Sequence, residues 1–427
     1  MTKKVAFYTL GCKLNYAETE SIARRFETAR FERVDFSQSA DYYVINTCSV
    51  TEVANKKSRN SIRKARKNNP LAKVIVVGCY AQLKAQEIIA IGGVSLVLGA
   101  QDKFNIIEKL QELEAGTAPH IVSGCEISKL TNFEASYSLS ERTRSFLKVQ
   151  DGCNYNCSYC TIPQARGASR NASIAHIVAQ AQEIAQSGIQ EIVLTGINIG
   201  DFGRSTGEAF LDLLRALDAV EGIARYRISS IEPNLLTSEI INFVAQSRAF
   251  MPHFHIPLQS GCNEVLRLMR RRYSTEFFAH KIHEIKEKIP HAGIGVDVIV
   301  GTNGETAEYF EKTRLFIKSL PISYLHVFTY SERENTDALG ITPRVPEHER
   351  HERNLALHEV AEERSAHFVR QNVGSVRPVL FETKQKNGAF SGYTDNYIRV
   401  QSRKSGIEKN SIVPLQLTEI NGECWGE

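Results

Sequence analysis

Several features that would place this chain at once are missing from it. No run approaches the ~18 consecutive apolar residues that a membrane helix needs, so no membrane partner is expected. Lys3 and Lys4 precede a short apolar run that stops at Gly11-Cys12-Lys13, which reads as a first strand and not as a secretory signal. Charge of one sign is not in excess: 52 Lys and Arg against 48 Asp and Glu leave a net +4. Any nucleic-acid binding must then come from local patches and not from a global field. No internal repeat or low-complexity segment stands out. What remains is an ordinary globular composition, 42% hydrophobic and 23% charged. The length of 427 residues suits about three domains, taking roughly 100–200 residues each.

Nine cysteines, an odd number scattered along the chain, are present. In a cytoplasmic protein, the setting expected here, such cysteines more often bind metal or do chemistry than pair as disulfides. Cys153, Cys157 and Cys160 form a C-x3-C-x2-C triplet. Three thiolates this close can hold three irons of a 4Fe-4S cube and leave the fourth iron open. An open coordination position is what separates a catalytic metal site from a closed structural one. A three-thiolate zinc site completed by a distant His is the alternative at this point.

Three more cysteines stand out by position. The first ~130 residues alternate strand and helix patterns, with strands expected at Val5–Leu10, Asp41–Asn46 and Lys73–Val77, and such alternation implies a doubly wound parallel sheet. Helices are expected at 17–28 and 51–68. Cys12, Cys48 and Cys79 each lie just past a strand's C-terminal end. Those ends share one sheet edge, where ligands bind, so the three thiols should converge. Each taken singly is also a small buried hydrophobe.

Residues 131–144 turn polar and read as a linker. Further strands are expected at 145–149, 191–195, 225–229, 253–257, 293–300 and 324–330, with helices between them. Six βα units in about 190 residues fall short of the roughly 250 that a closed eight-unit barrel needs, so an open partial (β/α)6 barrel is expected over 145–372. From residue 373 onward the pattern changes to short β segments at 378–382, 388–392, 397–401 and 412–419, punctuated by Gly and Asn. These suggest a small antiparallel β-barrel over 373–427. The fold class is therefore α/β, with an N-terminal doubly wound domain over 1–130, the partial barrel and the small β-barrel.

This combination resembles the radical S-adenosylmethionine (SAM) methylthiotransferases over essentially the whole chain. The resemblance rests on Thr9-Leu-Gly-Cys-Lys-Leu-Asn15, Asn46-Thr-Cys48, Val77-Gly-Cys79, Gly152-Cys-Asn-Tyr-Asn-Cys-Ser-Tyr-Cys160, Ile162-Pro-Gln-Ala-Arg-Gly167 and His255-Ile-Pro-Leu-Gln-Ser-Gly261. It implies two 4Fe-4S clusters: an auxiliary, sulfur-transferring one on Cys12, Cys48 and Cys79, and a SAM-cleaving one on Cys153, Cys157 and Cys160. It also implies SAM as both methyl donor and radical source, an electron-donating reductase as partner and a C-terminal TRAM-like RNA-binding barrel. The heptad at 9–15 is most similar to the branch that adds a methylthio group to C2 of N6-threonylcarbamoyladenosine at tRNA position 37. The same chemistry on isopentenyladenosine-37, or on an aspartate of ribosomal protein S12, is the alternative. A non-catalytic iron–sulfur RNA-binding protein is the alternative of another class.

Candidates for holding SAM lie at strand ends: Asn198, Ser229, Ser230, Glu232, Gln259, Ser260 and Asp297. Each could instead be a satisfied turn or cap. After Asp297 the family pattern Gly-Phe-Pro-Gly-Glu-Thr is replaced here by Gly301-Thr-Asn-Gly-Glu-Thr306, which removes a rigid apolar turn. Arg166, Arg270, Arg271, Arg272 and Tyr273 are substrate or RNA candidates, because a guanidinium suits a carboxylate or phosphate. A solvated charge is the bland alternative for each. The helix around 55–69 carries Lys56, Lys57, Arg59, Arg63, Lys64, Arg66 and Lys67 with no acid, enough to neutralise tRNA phosphates. Residues 373–427 carry seven basic and six acidic side chains, so an RNA role there rests on Phe390, Tyr393 and Tyr397 as stacking residues. Cys125, Cys262 and Cys424 match no motif and read as structural.

Overall fold

Buried β-rich runs separated by amphipathic helices assemble the N-terminal part. The computed structural model describes residues 2–116, 120–124, 126–139 and 143–427. Strands β1 (Lys4–Thr9), β2 (Glu32–Val34), β3 (Tyr42–Thr47), β4 (Lys73–Gly78), β5 (Leu96–Leu98) and β6 (Ile121–Ser123) form one sheet in the order β2-β1-β3-β4-β5-β6. Every pairing is parallel. β3 is buried at all six positions and β4 at all but its first, as a sheet covered on both faces requires. The doubly wound parallel sheet is as expected. The three strands that the pattern misses, β2, β5 and β6, have three residues each, too few to show a period. Helix α1 (Lys13–Thr28) starts directly after Cys12, which occupies its N-cap position. Helix α2 (Glu52–Asn68) is capped by Thr51, whose side chain accepts from the Ala54 N–H.

Strands β8 (Arg144–Lys148), β9 (Glu191–Thr195), β10 (Arg225–Ile228), β11 (His253–Gln259), β12 (Gly293–Val300) and β13 (Tyr324–Thr329) follow after a short β7 (Ser136–Tyr137). β8 to β10 pair in parallel, as do β11 to β13. Parallel bridges Tyr226–Phe250 and Ser230–His255 join the two runs. The result is the six-stranded open barrel expected from the βα count. Its largest core lies between strands and outer helices and includes Leu147, Ile192, Leu194, Phe254, Ile256 and Val296. On the other face, Phe146 and Val193 point into the lumen and pack against Tyr16 and Ala17 of α1. The N-terminal unit thus closes part of the lumen.

β7 corrects the reading of residues 131–144 as a plain linker. It pairs antiparallel with β8, and the Ser138 N–H donates to the Phe146 carbonyl at 3.1 Å. Residues 140–142 of that segment lie outside the described residues. A long helix (Glu347–Asn372) leads out of the barrel. Strands β14 (Val376–Lys384), β15 (Phe390–Thr394), β16 (Arg399–Ser402), β17 (Ile412–Ile420) and β18 (Glu423–Gly426) then close a small barrel in the order β14-β15-β16-β18-β17. The fifth strand adds to the four expected. It turns back through Asn421-Gly422, both at positive φ (53° and 78°), the Asn-Gly signature of a tight hairpin. No helix among the described residues is long and apolar enough to cross a membrane.

Candidate active site

The strand-end cysteines converge. β1, β3 and β4 are neighbours in the sheet, and their registers align Thr9 with Asn46 and Thr47 with Gly78. Cys12, Cys48 and Cys79 are the next residues on that edge or one short turn beyond it. Asn15 ties the turns together, its Nδ2 donating to the Leu10 carbonyl at 2.8 Å and the Thr47 carbonyl at 3.1 Å. Gly11, at φ 100°, lies so close that a Cβ there would sit 2.8 Å from Cys48 Cβ and 3.0 Å from its Sγ. Cys48 and Cys79 are buried and Cys12 is open to solvent. Burial pushes the Cys48 thiol up to about 12, with Cys79 and Cys12 adding to the rise.

The second trio is held by its own loop. The Cys153 N–H donates to the Gly167 carbonyl at 3.0 Å and the Cys160 N–H to the Cys157 carbonyl at 3.1 Å. Three donors point at sulfur: Tyr155 N–H to Cys153 Sγ at 3.3 Å, Ile162 N–H to Cys160 Sγ at 3.4 Å and Arg271 Nη1 to Cys157 Sγ at 3.2 Å. Such donors favour thiolate character, the form that ligates metal. Burial pushes the thiols of Cys153 up to about 11 and Cys160 to about 12, so metal loading must displace their protons.

A single zinc ion is a poor fit to either trio. Tetrahedral zinc with Zn–S of about 2.3 Å draws its sulfurs to within ~4 Å of one another. Among the described residues, the only group of three His, Cys, Asp or Glu whose ligand atoms lie within 4.8 Å of each other is His255, Asp297 and His326. Neither cysteine trio forms such a group, and three separate irons of a cube call for a wider set of thiolates than one zinc ion.

Beside the trios lies a buried ion cluster whose members other than Arg166 carry no sequence motif. Arg166, at the end of the short helix Ile162–Arg166, is 2% exposed. Its Nη1 is 3.2 Å from Glu18 Oε1 and 3.0 Å from Asp151 Oδ1, and its Nη2 donates to Asn15 Oδ1. Lys103 reaches Glu18 at 2.7 Å, Lys148 reaches Glu18 at 2.9 Å and Asp151 at 2.8 Å, and Arg170 reaches Asp151 at 3.2 Å. Burial alone would raise the Glu18 carboxyl, but Arg166, Lys103 and Lys148 hold it well below the usual carboxylate range. Four cations face two carboxylates, so positive charge is in surplus. That surplus adjoins Cys12 and Cys79, whose thiols Arg166 senses directly. Arg166 Nε is buried without a partner, a donor available to an anionic sulfur. A cluster with thiolate ligands therefore fits this site. Arg166 is committed to the interior and is not free to grip RNA.

The other candidates divide. Asn198 is 3% exposed, and both of its amide atoms are buried without partners, as a ligand-facing amide would be; its N–H donates to Gln150 Oε1 at 2.8 Å. Arg271 is bonded to Cys157 and to Glu232, which removes both Arg271 and Glu232 from the free set. Tyr273 donates to the Pro257 and Leu258 carbonyls at 2.8 and 2.9 Å. Arg270 pairs at the surface with Asp337, and Arg272 lies 3.9 Å over the Tyr155 ring. Ser229 donates its N–H to the Leu194 carbonyl and Ser230 bridges to His255. Ser260 is fully buried with its hydroxyl on Thr313 at 3.1 Å, so it is structural. Gln259, at φ 67°, and Asp297 line a cavity of about 240 Å³ together with Cys160, Tyr159, Val50 and Thr51. Burial would raise the Asp297 carboxyl, but hydrogen bonds from His255 and His326 hold it well below the usual range. In the 301–306 loop, Asn303 replaces a rigid turn with a bond, its Nδ2 donating to the Ala338 carbonyl at 2.9 Å.

Comparison with known proteins decides the family. Residues 4–99 match a family described as uncharacterized protein family UPF0004, and residues 147–317 match the radical SAM superfamily. The threonylcarbamoyladenosine tRNA methylthiotransferase MtaB of Bacillus subtilis is 42% identical over 97% of this chain and 93% of its own. That of Aquifex aeolicus is 38% identical over 93% and 96%. This chain belongs to the radical SAM tRNA methylthiotransferases. A tRNA-2-methylthio-N(6)-dimethylallyladenosine synthase from Endomicrobium trichonymphae is 28% identical over 97% of both chains. Among solved structures, the radical SAM methyltransferase TsrM of Kitasatospora setae shares the fold at TM-score 0.57 and 14% identity, over 77% of this chain and 75% of that one. As a member of its family, this methylthiotransferase uses SAM and two 4Fe-4S clusters.

The surfaces of the methylthiotransferase also sort out. On α2, Lys56, Lys57, Arg63, Lys64, Arg66 and Lys67 are exposed or half-exposed, while Arg59 is taken up by Glu52 at 2.7 Å and Glu87 at 2.8 Å. Tyr393 and Tyr397 correct the expectation of RNA-stacking residues. They stack on each other at 4.8 Å, and Tyr397 stacks on His253 of β11 at 4.4 Å. Arg144 of β8 lies 5.1 Å over Tyr393, so these rings fasten the small barrel to the large one. Phe390 packs edge-on to Phe381 at 6.3 Å. Cys262 and Cys424 are buried, and Cys125 lies outside the described residues.

Proposed function

We propose that this methylthiotransferase adds a methylthio group to C2 of N6-threonylcarbamoyladenosine at position 37 of tRNA. The observation that carries the reading is the buried link from Asn15, which ties the turns before Cys12 and Cys48, to Arg166 and Asp151, a link that holds one cysteine trio against the loop that bears the other. A nucleoside between them can meet both. The substrate named for the 42% and 38% identical relatives supports the choice of base.

Cys153, Cys157 and Cys160 would hold the cluster that, given an electron from a reductase, supplies radical chemistry from SAM, and Cys12, Cys48 and Cys79 would hold the cluster that supplies the methylthio sulfur. Radical chemistry suits the task because the purine C2–H has no readily ionised proton. The chain's own residues do the positioning. Asn198 offers an unpaired amide to the polar end of SAM. Arg271 orients Cys157 through its N–H···S bond and is itself fixed by Glu232. Gln259 and Asp297 form the wall of the adjoining cavity. The anticodon loop is unpaired, so its base can be splayed into the lumen at modest cost. An electron-donating reductase and a cytoplasmic setting complete the reading.

The test is mass spectrometry of tRNA nucleosides from a deletion strain. Loss of 2-methylthio-threonylcarbamoyladenosine is the expected result. Its persistence, with loss of the isopentenyl analogue instead, overturns the substrate assignment. Absence of 5′-deoxyadenosine after anaerobic incubation with SAM and a reductant overturns catalysis altogether.

A further inference from the structure

Helix α1 presents its first residue, Lys13, immediately after Cys12. The Lys13 side chain is open to solvent and makes no ion pair or hydrogen bond among the described residues. It is nonetheless a cleft residue. Three and four positions further along the helix, Tyr16 and Ala17 cover Phe146 and Val193 on the lumen face of β8 and β9. The charged groups within electrostatic reach of it are Tyr397 of the small barrel, Arg144 of β8, Arg227 of β10 and Asp297 of β12. The same helix face therefore carries an accessible ammonium on the lumen side of α1, next to Cys12.

The other charges there are spoken for. Arg144 holds Glu382 at 2.6 Å, Arg227 holds Glu191 at 2.9 Å, Arg166 holds Glu18 and Asp151, and Arg271 holds Glu232. Asp297 is hydrogen-bonded to His255 at 2.9 Å and His326 at 3.1 Å and makes no ion pair with Lys13. Of the arginines expected as substrate contacts, Arg166 and Arg271 are thus held by carboxylates, Arg270 pairs with Asp337 at the surface and Arg272 lies over Tyr155, while a lysine beside the sulfur-bearing cluster is open.

We propose that Lys13 is a specificity-determining residue that binds the carboxylate on the N6 substituent of the target adenosine; this rests on the function proposed above. The geometry of a purine suits it. N6 is attached to C6, and C6 and C2 flank N1 on one edge of the ring. One turn of chain, Cys12-Lys13, can therefore serve both ends of that edge: the sulfur side at C2 and the carboxylate beyond N6. An apolar isopentenyl group would leave the Lys13 ammonium desolvated and unpaired, which a site built for a polar partner strongly penalises.

The test compares cluster-loaded enzyme binding to three anticodon stem–loop RNAs, carrying threonylcarbamoyladenosine, its methyl ester or isopentenyladenosine at position 37. The wild type is expected to bind the acid about tenfold or more tightly than the ester, the effect of one hydrogen bond to a charged group. K13Q is expected to bind acid and ester alike, and K13R to restore most of the preference. Iron content and cluster absorption check that K13Q keeps the cluster beside it. Equal wild-type affinity for acid and ester overturns the proposal, and that comparison stands even where K13Q loses iron. A K13Q variant that keeps the preference overturns it too. Methylthiolation by the wild type of the isopentenyl RNA but not of the acid overturns the substrate reading itself, which separates the two failures.

Discussion

Glu18→Gln is the perturbation on which the arrangement of the two sulfur sites depends most directly. Glu18 is fully buried and anchors Lys103 at 2.7 Å, Lys148 at 2.9 Å and Arg166 at 3.2 Å. The variant keeps the shape and most hydrogen bonds but leaves Arg170 and these three cations with Asp151 as the only carboxylate among them. Removing one partner from a buried ion cluster costs about 3–5 kcal/mol, because the remaining charge is uncompensated. The loss falls where α1 meets the barrel, so the effect on function should be selective. Urea unfolding of the cluster-loaded protein measures the stability, and product analysis measures the coupling. We expect 5′-deoxyadenosine formation to continue while methylthio transfer falls sharply. The pH dependence has a definite sign. The Glu18 and Asp151 carboxyls are held well below their ordinary range in the folded state. Their contribution is therefore present above the unfolded carboxylate pKa of about 4 and is lost as pH falls below it. E18Q should lose less stability on acidification than the wild type. A double-mutant cycle with Lys103→Met should show a coupling of about 1 kcal/mol or more. A change in stability within about 0.5 kcal/mol, the range of an ordinary surface substitution, or strictly additive effects, would refute the account.

Other expectations are as definite. Arg271→Lys removes the directed N–H···S bond to Cys157 and the pairing with Glu232; SAM cleavage should slow by about 10–100-fold, as for outer-sphere partners of metal ligands, with a changed EPR signal of the reduced cluster, and an unchanged signal would contradict this. Asn198→Ala removes an amide that has no protein partner, so the KM for SAM should rise about tenfold with stability nearly unchanged; a large loss of stability without a KM effect would make Asn198 structural. Reversing Lys56, Lys57 and Lys64 to Glu on α2 should weaken tRNA binding and flatten the dependence of log affinity on log salt by ~0.7–0.9 for each phosphate no longer neutralised. An unaltered salt slope would remove α2 from the RNA interface.

Much of this fold is written in local patterns. The strand-end positions of Cys12, Cys48 and Cys79 are legible because three strands rich in apolar residues each stop at the same kind of boundary, and parallel pairing does the rest. The six barrel strands are legible for the same reason. β2, β5 and β6 are not, since three residues carry no period, and Asn421-Gly422 reads as punctuation until a fifth strand shows it to be a hairpin. The candidate sulfur ligands are legible by two routes, Cys153, Cys157 and Cys160 by their short spacing and Cys12, Cys48 and Cys79 by their place at strand ends. Glu18, Lys103 and Lys148 carry no motif, and a charged residue in an amphipathic pattern reads as solvated until the tertiary fold buries it.

The same reason explains why Arg166 and Tyr397 differ from expectation. Guanidinium groups and tyrosines near a nucleic-acid site suggest binding to phosphate and base, but both residue types also serve as interior fasteners when several elements meet. Arg166 joins α1 to the cluster loop, and Tyr397 joins the small barrel to β11. Both interfaces border the lumen, so the walls of the reaction chamber come from all three parts of the chain. Among the polar groups without partners, three stand out by their place beside the cysteine trios. Asn198 stands at the end of β9, Arg166 Nε beside the two trios and Lys13 beside the auxiliary trio. Their unmet hydrogen-bonding capacity is what SAM, an anionic cluster and a carboxylate-bearing base would respectively satisfy.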